Sequence, residues 1–426
     1  MVDYVDLDYT PNENDLVVMY YVQISPNCKN LQYAAQEIAK ESSIGTWTEI
    51  ATLSSEIAQR LKPSTFYIDQ ENKIIKIAYT KELFEANNLP QILSAIAGNI
   101  YGMKVLKSLR LLDISFPKDI VNVYRGPKFG INGIRNLTKV KNRPLLGTIV
   151  KPKVGLNEIE HSKVCKDAWL GGLDIVKDDE NLTSLSFNKF EKRVMVTLKT
   201  RDKAENETGE RKFYMPNITA PLSTMKNRAD IVIENGGEYI MVDILTIGFS
   251  ALQEIRDYVD DRDVVIHAHR AMHAALTRNK KHGITMLALS KIMRLIGMDQ
   301  LHTGTIVGKM EGDKREVLEC NQLLTTHQIS DNNITMLNQD WGDIKSTLPV
   351  ASGGLSPLHI PSLMEILGKD LVYQFGGGCH GHPDGTIAGA KAIRQAMDAV
   401  LNGFTLEEYA EKNIELAKAI EKWGKN

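Results

Sequence analysis

A chain of 426 residues, 43% hydrophobic and 24% charged, is long enough for two or three domains and at least one full core, which excludes a small stapled scaffold. Its 51 Lys and Arg against 53 Asp and Glu give a formal net charge of −2, without the basic excess of a nucleic-acid-binding domain. The cysteines Cys28, Cys165, Cys320 and Cys379 show no CxxC spacing, so neither a structural zinc site nor a disulfide framework is expected, and a reducing cytoplasm fits best.

In chain order, residues 1–15 lack the basic and apolar regions of an export signal, and no run of eighteen apolar residues follows, so neither export nor membrane spanning is expected. Strands are predicted over 16–24 and 73–80, and helical spacing of apolar residues over 31–40 and 91–101. Residues 105–116 close this α+β, ferredoxin-like domain, and a Pro- and Gly-bearing stretch marks a boundary near 120–143. From Pro144 onward short apolar runs alternate with amphipathic helices. Strand candidates are 145–150, 173–176, 213–217, 239–244, 264–268, 300–302, 348–351 and 371–375. Such βα alternation predicts a parallel (β/α)8 TIM barrel. Helices over 284–296 and from about Asp384, and a charged helical tail over 406–423, complete it. The expected domains are therefore 1–130 and 131–426.

A parallel barrel builds its active site at the C-terminal ends of its strands. Those ends carry Lys151 and Lys153, then Lys177-Asp178-Asp179-Glu180, Asn217, Asp243, His267 and His269 with Arg270, His302, Ser352-Gly353-Gly354 and Gly376-Gly377-Gly378. Period 2 puts Lys177 and Asp179 on one face, and carboxylates beside them suit a hard cation such as Mg²⁺, although a surface ion pair reads equally well. A lysine converted to a carbamate could add a third anionic oxygen. His267-Ala268-His269 fits either two metal ligands or one general base beside an anion-binding Arg270. Lys151 and Lys153 are solvated lysines by default, but opposite carboxylates one can donate a proton. Lys309 sits at the tip of a glycine-flanked loop over 302–312, suited to a lid. The glycine clusters, with Arg270, His302 and Lys309, suggest two phosphate grips and a substrate phosphorylated at both ends.

Taken together these segments resemble one family, the large chain of ribulose-1,5-bisphosphate carboxylase/oxygenase (Rubisco). The resemblance lies in Glu41 to Thr48, Gly98-Asn99, Lys151 to Leu156, Gly171 to Asn181, His269 to His273, His302 to Lys309, Ser352 to Gly354 and Gln374 to Gly378, in family order. The wording at 267–273, 308–312 and 381–385 is most similar to the archaeal form III enzymes of methanogens. The resemblance implies that Lys177 is carbamylated by an activating CO2 and holds Mg²⁺ with Asp179 and Glu180. It implies that the carbamate abstracts the C3 proton of ribulose 1,5-bisphosphate, that Lys151 donates a late proton at C2, and that His269 handles hydroxyl protons near C3. Lys153 would orient Lys151, and Lys309 would stabilise the new carboxylate. Arg270, His302 and Ser352 would grip one side of the substrate, and Gly353, Gly354, Gln374, Phe375, Gly376 and Gly377 the other. Glu41, Thr46, Trp47 and Asn99 match residues that complete a neighbouring subunit's site, implying a homodimer or larger homo-oligomer with no small subunit. CO2 and O2 would both be substrates, and the implied context is breakdown of AMP and other nucleoside monophosphates.

Two positions depart from the plant-type pattern. Ile149 stands where a Thr contacts a substrate hydroxyl, with Thr148 one place earlier, and Ser356 replaces a His near the phosphate. Three other readings compete. A Rubisco-like enolase without CO2 fixation typically loses residues retained here. An amidohydrolase carries its HxH before the lysine, whereas His267 and His269 follow Lys177. A non-enzymatic sugar-phosphate sensor would leave the catalytic set unused.

Overall fold

The computed structural model describes residues 2–307 and 314–424. Its strands are β1 (Asp15–Ile24), β2 (Ser64–Asp69), β3 (Ile74–Thr80), β4 (Leu106–Ser115), β5 (Leu145–Ile149), β6 (Ile175–Lys177), β7 (Phe213–Met215) and β8 (Tyr239–Asp243). They continue with β9 (Val265–His269), β10 (Gly283–Ile284), β11 (Gln300–His302), β12 (Gln328–Ile329), β13 (Gln339–Asp340), β14 (Leu348–Ser352) and β15 (Val372–Phe375). Two compact units result. One comprises Met1–Gly126, Met272–Ile296 and Thr326–Lys345, the other Pro127–Ala271, Gly297–Thr325 and Ser346–Asn426.

The first unit holds a sheet of order β10-β4-β1-β3-β2. Val, Tyr and Ile fill β1, which pairs antiparallel with β3 and β4 as a half-buried pleated surface requires. Three details differ from the sequence reading. β2 and the helix Ser55–Leu61 before it fall in a stretch left unassigned; Ser54 caps that helix by accepting from the Ile57 N–H. The 91–101 helix is instead Leu89–Ile96 followed by a 3-10 turn, Asn99–Gly102. The 284–296 helix begins at Met286, because Gly283 and Ile284 pair with Arg110 and Leu111 of β4.

A buried node binds the three stretches of this unit. Lys291 Nζ donates to Asp113 Oδ2 and to the Ile114 carbonyl, each at 2.7 Å, and the Leu337 N–H donates to the same Asp113 oxygen at 2.7 Å. Burial pulls Asp113 up and Lys291 down toward neutrality, while their mutual attraction opposes both shifts. With three donors on the carboxylate, the ionised pair is the form this geometry supports.

The second unit is the barrel, with parallel strands in the order β7-β6-β5-β15-β14-β11-β9-β8. A single bridge between Asn217 and Met241 links its two ends, so the ring is nearly closed. Leu145, Ile175, Phe213, Tyr239, Val265, Leu348 and Val372 fill its lower interior. The stretch read as a linker contains a helix, Gly130–Thr138, whose Ile134 enters that core. The expected tail is two helices, Leu406–Ala410 and Ile414–Trp423. Among the described residues no helix is long and apolar enough to cross a membrane.

Gly389, in the helix Gly385–Leu401, packs against backbone: a Cβ there would lie 1.8 Å from the Cys379 carbonyl oxygen. Gly389→Ala is therefore expected to destabilise the protein by about 2 kcal/mol or more, since neither backbone can yield cheaply. A urea midpoint equal to wild type would refute this.

Candidate active site

Strand β6 delivers the central group. Lys177, 1% exposed, donates from Nζ to the Asp178 carbonyl at 2.8 Å and lies 4.0 Å from Glu180 Oε2. Burial lowers its pKa, and Glu180, Asp179 and Asp243 partly restore it. Asp179 accepts from Lys151 Nζ at 2.8 Å and from the Asn181 side chain at 3.0 Å. Burial would raise this carboxyl, but those donors hold it below its ordinary value. Glu180 lies 3.7 Å from Lys153 Nζ through one oxygen and 3.7 Å from His269 Nε2 through the other. The barrel thus brings Lys151, Lys153, Lys177, Asp179, Glu180 and His269 together.

Alternation sends Asp178 to the opposite face of the strand, where it is fully buried. It accepts from the Tyr214 hydroxyl at 2.6 Å, Arg193 Nη2 at 3.0 Å, the Asn217 N–H at 3.0 Å, and lies 3.1 Å from His161 Nε2. Despite burial, these partners push its pKa far down. Asn217 also donates its side-chain amide to the Glu180 carbonyl at 3.1 Å, fixing the turn. The sequence places Asp178 among the polar strand-end residues without a role of its own; its signal is the odd position between two residues facing the site.

His269 Nδ1 lies 2.9 Å from Asp243 Oδ1, so the carboxylate favours the Nδ1–H tautomer and leaves Nε2 as a lone pair toward Glu180. Asp243 was read only as a polar strand end. Arg270 donates to the Thr303 carbonyl at 3.0 Å, and its guanidinium lies where a Gly304 Cβ would stand, 2.6 Å away. Gly304 also has φ +102°, so both space and backbone require glycine. Of the HxH pair, His267 is a fully buried side chain hydrogen-bonded at 2.8 Å to Gln300 and 2.9 Å to His302. It therefore has no free nitrogen for a metal.

Burial and the nearby Lys177 charge hold His267 at about 3. Below about pH 6.5 an unfolded chain protonates this histidine while the folded one does not, so stability falls as pH drops toward 3. Between pH 7 and 5, wild type is expected to lose about 2 kcal/mol more than His267→Gln in urea titrations. Equal slopes would remove the claim.

Ser352 ends β14 beside Gln374 of β15, and Gly353 and Gly354 turn away with positive φ. Gln374 is fully buried, and neither amide atom has a hydrogen-bond partner, a costly state unless a ligand or water meets it. Phe375 is buried and its carbonyl accepts from Thr148. Gly376 approaches Lys151, and beyond Gly377 there is open space where a side chain would stand. Thr148 is committed to Phe375 and His380 on the far face, while Ile149 pairs beside Lys177; Thr148 therefore does not replace the missing hydroxyl. Ser356 is tied to the turn Pro357–His359: its N–H donates to His359 Nδ1 at 2.9 Å and its hydroxyl lies 3.2 Å from the same nitrogen.

Glu41, Thr46, Trp47 and Asn99 belong to the other compact unit; Glu41 ends the helix Leu31–Glu41, and Trp47 is 85% exposed. Lys309 lies outside the described residues.

Two family descriptions match the chain: "Ribulose bisphosphate carboxylase large chain, catalytic domain" over residues 130–423 and the corresponding N-terminal domain over 3–120. The ribulose bisphosphate carboxylase of Methanocaldococcus jannaschii is 54% identical, covering 99% of this chain and 100% of its own. That of Methanosarcina barkeri is 52% identical, covering 99% of each. An octameric Rubisco structure from Pyrococcus horikoshii OT3 superposes with TM-score 0.91 at 47% identity, covering 99% of this chain and 98% of that one. A dimeric archaeal Rubisco from Hyperthermus butylicus gives 0.93 at 41% identity, with the same coverage. With its barrel, strand-end carboxylates and near full-length matches, the chain belongs to the Rubisco large-chain family.

Proposed function

We propose that this protein is a Mg²⁺-dependent ribulose 1,5-bisphosphate carboxylase, also able to use O2, whose site is activated by CO2 addition to Lys177. The observation that carries the reading is the buried Lys177 amine beside Asp179 and Glu180 at one strand end. The donor set fits the ion. Two carboxylates suit a hard cation, and one more anionic oxygen would complete the set. A carbamate on Lys177 is the group that would supply it, and a lowered amine pKa favours the neutral form that reacts with CO2. Mg²⁺ bound there would polarise the substrate's C2 carbonyl and C3 hydroxyl.

The chain's own residues account for the rest. Lys177, once carbamylated, takes the C3 proton. His269, with Nδ1 committed to Asp243, uses Nε2 to move hydroxyl protons. Lys151, held on Asp179, donates the late proton at C2, and Lys153 keeps Glu180 and that lysine in place. Arg270, His302 and Ser352 hold one phosphate; Gly353, Gly354, Gly376 and Gly377 hold the other, with Gln374 and Phe375 lining the floor. Lys309 closes over the carboxylate. The exposed Trp47, with Glu41, Thr46 and Asn99, completes a neighbouring subunit's site in a homodimer or larger assembly without a small subunit. The enzyme is of form III, acts in the cytoplasm, and disposes of ribose from nucleoside monophosphates.

The test is incorporation of ¹⁴C-bicarbonate into 3-phosphoglycerate, run anaerobically after preincubation with Mg²⁺ and CO2. Fixation that depends on the preincubation is expected. Exchange of a substrate proton without fixation would replace this reading by a Rubisco-like enolase.

A further inference from the structure

Beneath the barrel mouth a chain of hydrogen bonds runs up to His302 through three residues, Tyr239, Gln300 and His267, to which the steps above give no role. Tyr239, Gln300 and His267 are fully buried, and His302 nearly so. Gln300 Nε2 donates to the Tyr239 hydroxyl oxygen at 3.4 Å, its Oε1 lies 2.8 Å from His267 Nδ1, and His267 Nε2 lies 2.9 Å from His302 Nε2. Parallel pairing of β11 with β9 sets Gln300 beside His267, so the contact is built into the strand register. His302 Nδ1 is the one atom of the chain's two rings with no hydrogen-bond partner among the described residues.

Two neutral imidazoles that share one Nε2···Nε2 contact must divide the roles of donor and acceptor. The chain therefore has two polarities. In one, the Gln300 oxygen accepts from His267 Nδ1–H, His302 donates from Nε2, and His302 Nδ1 is a bare lone pair. In the other, the Gln300 NH2 donates to His267 Nδ1, His267 donates from Nε2, and His302 carries its proton on Nδ1. The heavy atoms occupy the same places in both, because turning an amide exchanges only its oxygen and nitrogen. The difference lies at the buried end. In the first polarity, with the amide as placed, the Tyr239 oxygen accepts a long 3.4 Å bond from Gln300 Nε2 and its own O–H proton has no acceptor among the described residues; turning the amide over gives that proton the Gln300 oxygen and produces the second.

We propose that Gln300, acting through His267, is a positioning residue that fixes His302 as a neutral ring with its proton on Nδ1, ready to donate to a substrate phosphate oxygen. This rests on the reading above, in which His302 grips a sugar bisphosphate. Burial and the surrounding positive groups keep both rings uncharged, His267 at about 3 and His302 well below its ordinary value. A neutral donor suits a site where Arg270 already supplies positive charge.

Gln300→Glu tests the polarity with an isosteric side chain that has no N–H. With its carboxylate ionised and His267 neutral, the variant accepts from His267 Nδ1–H, which reverses the chain and turns the His302 lone pair toward the phosphate. The KM for ribulose 1,5-bisphosphate should rise about tenfold or more, while kcat changes less than about threefold. Unmodified Mg²⁺- and CO2-activated enzyme provides a second readout that does not depend on how the variant folds. In ¹⁵N spectra of histidine-labelled protein, with His302 assigned by difference against His302→Asn, Nδ1 should be protonated and Nε2 bare, with and without inorganic phosphate. A protonated Nε2 on His302 overturns the proposal, as does an unchanged KM in folded Gln300→Glu whose ¹⁵N spectrum shows His267 neutral with its proton on Nδ1. Failure of the wild type to carboxylate would overturn the underlying function instead, while the ring tautomer, read without substrate, still decides the polarity.

Discussion

Lys177→Ala is expected to abolish carboxylation, by about a thousandfold or more, while leaving the protein folded. The substitution removes the buried amine beside Asp179 and Glu180 that is proposed to gain the third anionic oxygen, and with it the proposed base for the C3 proton. Either loss alone removes several kcal/mol of transition-state stabilisation. The fold should survive, because the amine is itself a cost: it is 1% exposed and its partners are a carbonyl at 2.8 Å and the Met241 sulfur at 3.5 Å. Alanine leaves a polar-walled space that water can enter from the mouth. The check is ¹⁴C fixation beside circular dichroism and urea titration. Residual fixation above about one per cent, in a variant that still responds to CO2 preincubation, would remove Lys177 from the role assigned to it.

Asp178→Ala is expected to have the largest effect on stability. Arg193 and Asp178 are both without solvent exposure, 3.0 Å apart, and Tyr214, His161 and the Asn217 amide face the same carboxylate. Removing it leaves a buried guanidinium without its counter-charge, which costs about 3–5 kcal/mol. Tyr214→Phe deletes one donor and should cost only about 1 kcal/mol. Urea midpoints would separate the two. A loss below about 1 kcal/mol in Asp178→Ala would show that the cluster is decoration rather than the anchor of the strand that carries Lys177.

The barrel was legible because its signal is repeated and local: apolar runs ended by Lys177, Asp243, His269, His302 and Ser352 mark strand ends whatever the tertiary detail. All of these lie at or near the ends of parallel strands. What sequence patterns could not carry is the partner on the opposite face. Asp178 belongs to the same motif as its neighbours, yet one residue of alternation sends it to Arg193 and Tyr214, far along the chain. Gln300 was taken as the start of a strand because its meaning depends on register with His267. The HxH motif was ambiguous for the same reason, since spacing alone does not say that His302 occupies the nitrogen a metal would need. In the first unit β2 was overlooked because its six residues, Ser64–Asp69, carry too little alternation to stand out beside Pro63. The linker reading of 126–144 failed where Gly and Pro outweighed the spacing of Ile131, Ile134 and Leu137.

The Asp113 node constrains how this protein can be made. Its carboxylate comes from the first stretch of the unit, its ammonium from Met272–Ile296 and its third donor from Thr326–Lys345. On the ribosome, Asp113 therefore emerges long before either partner exists, an interval on the order of tens of seconds at ordinary elongation rates. During that time the nascent sheet lacks β10 beside β4 and the helix Met286–Ile296 that packs on it. A fragment ending at Gly126 would carry the same defect permanently. Domain exchange between relatives therefore has to transfer three separate pieces of gene, and a single crossover near residue 126 would join a node to foreign partners.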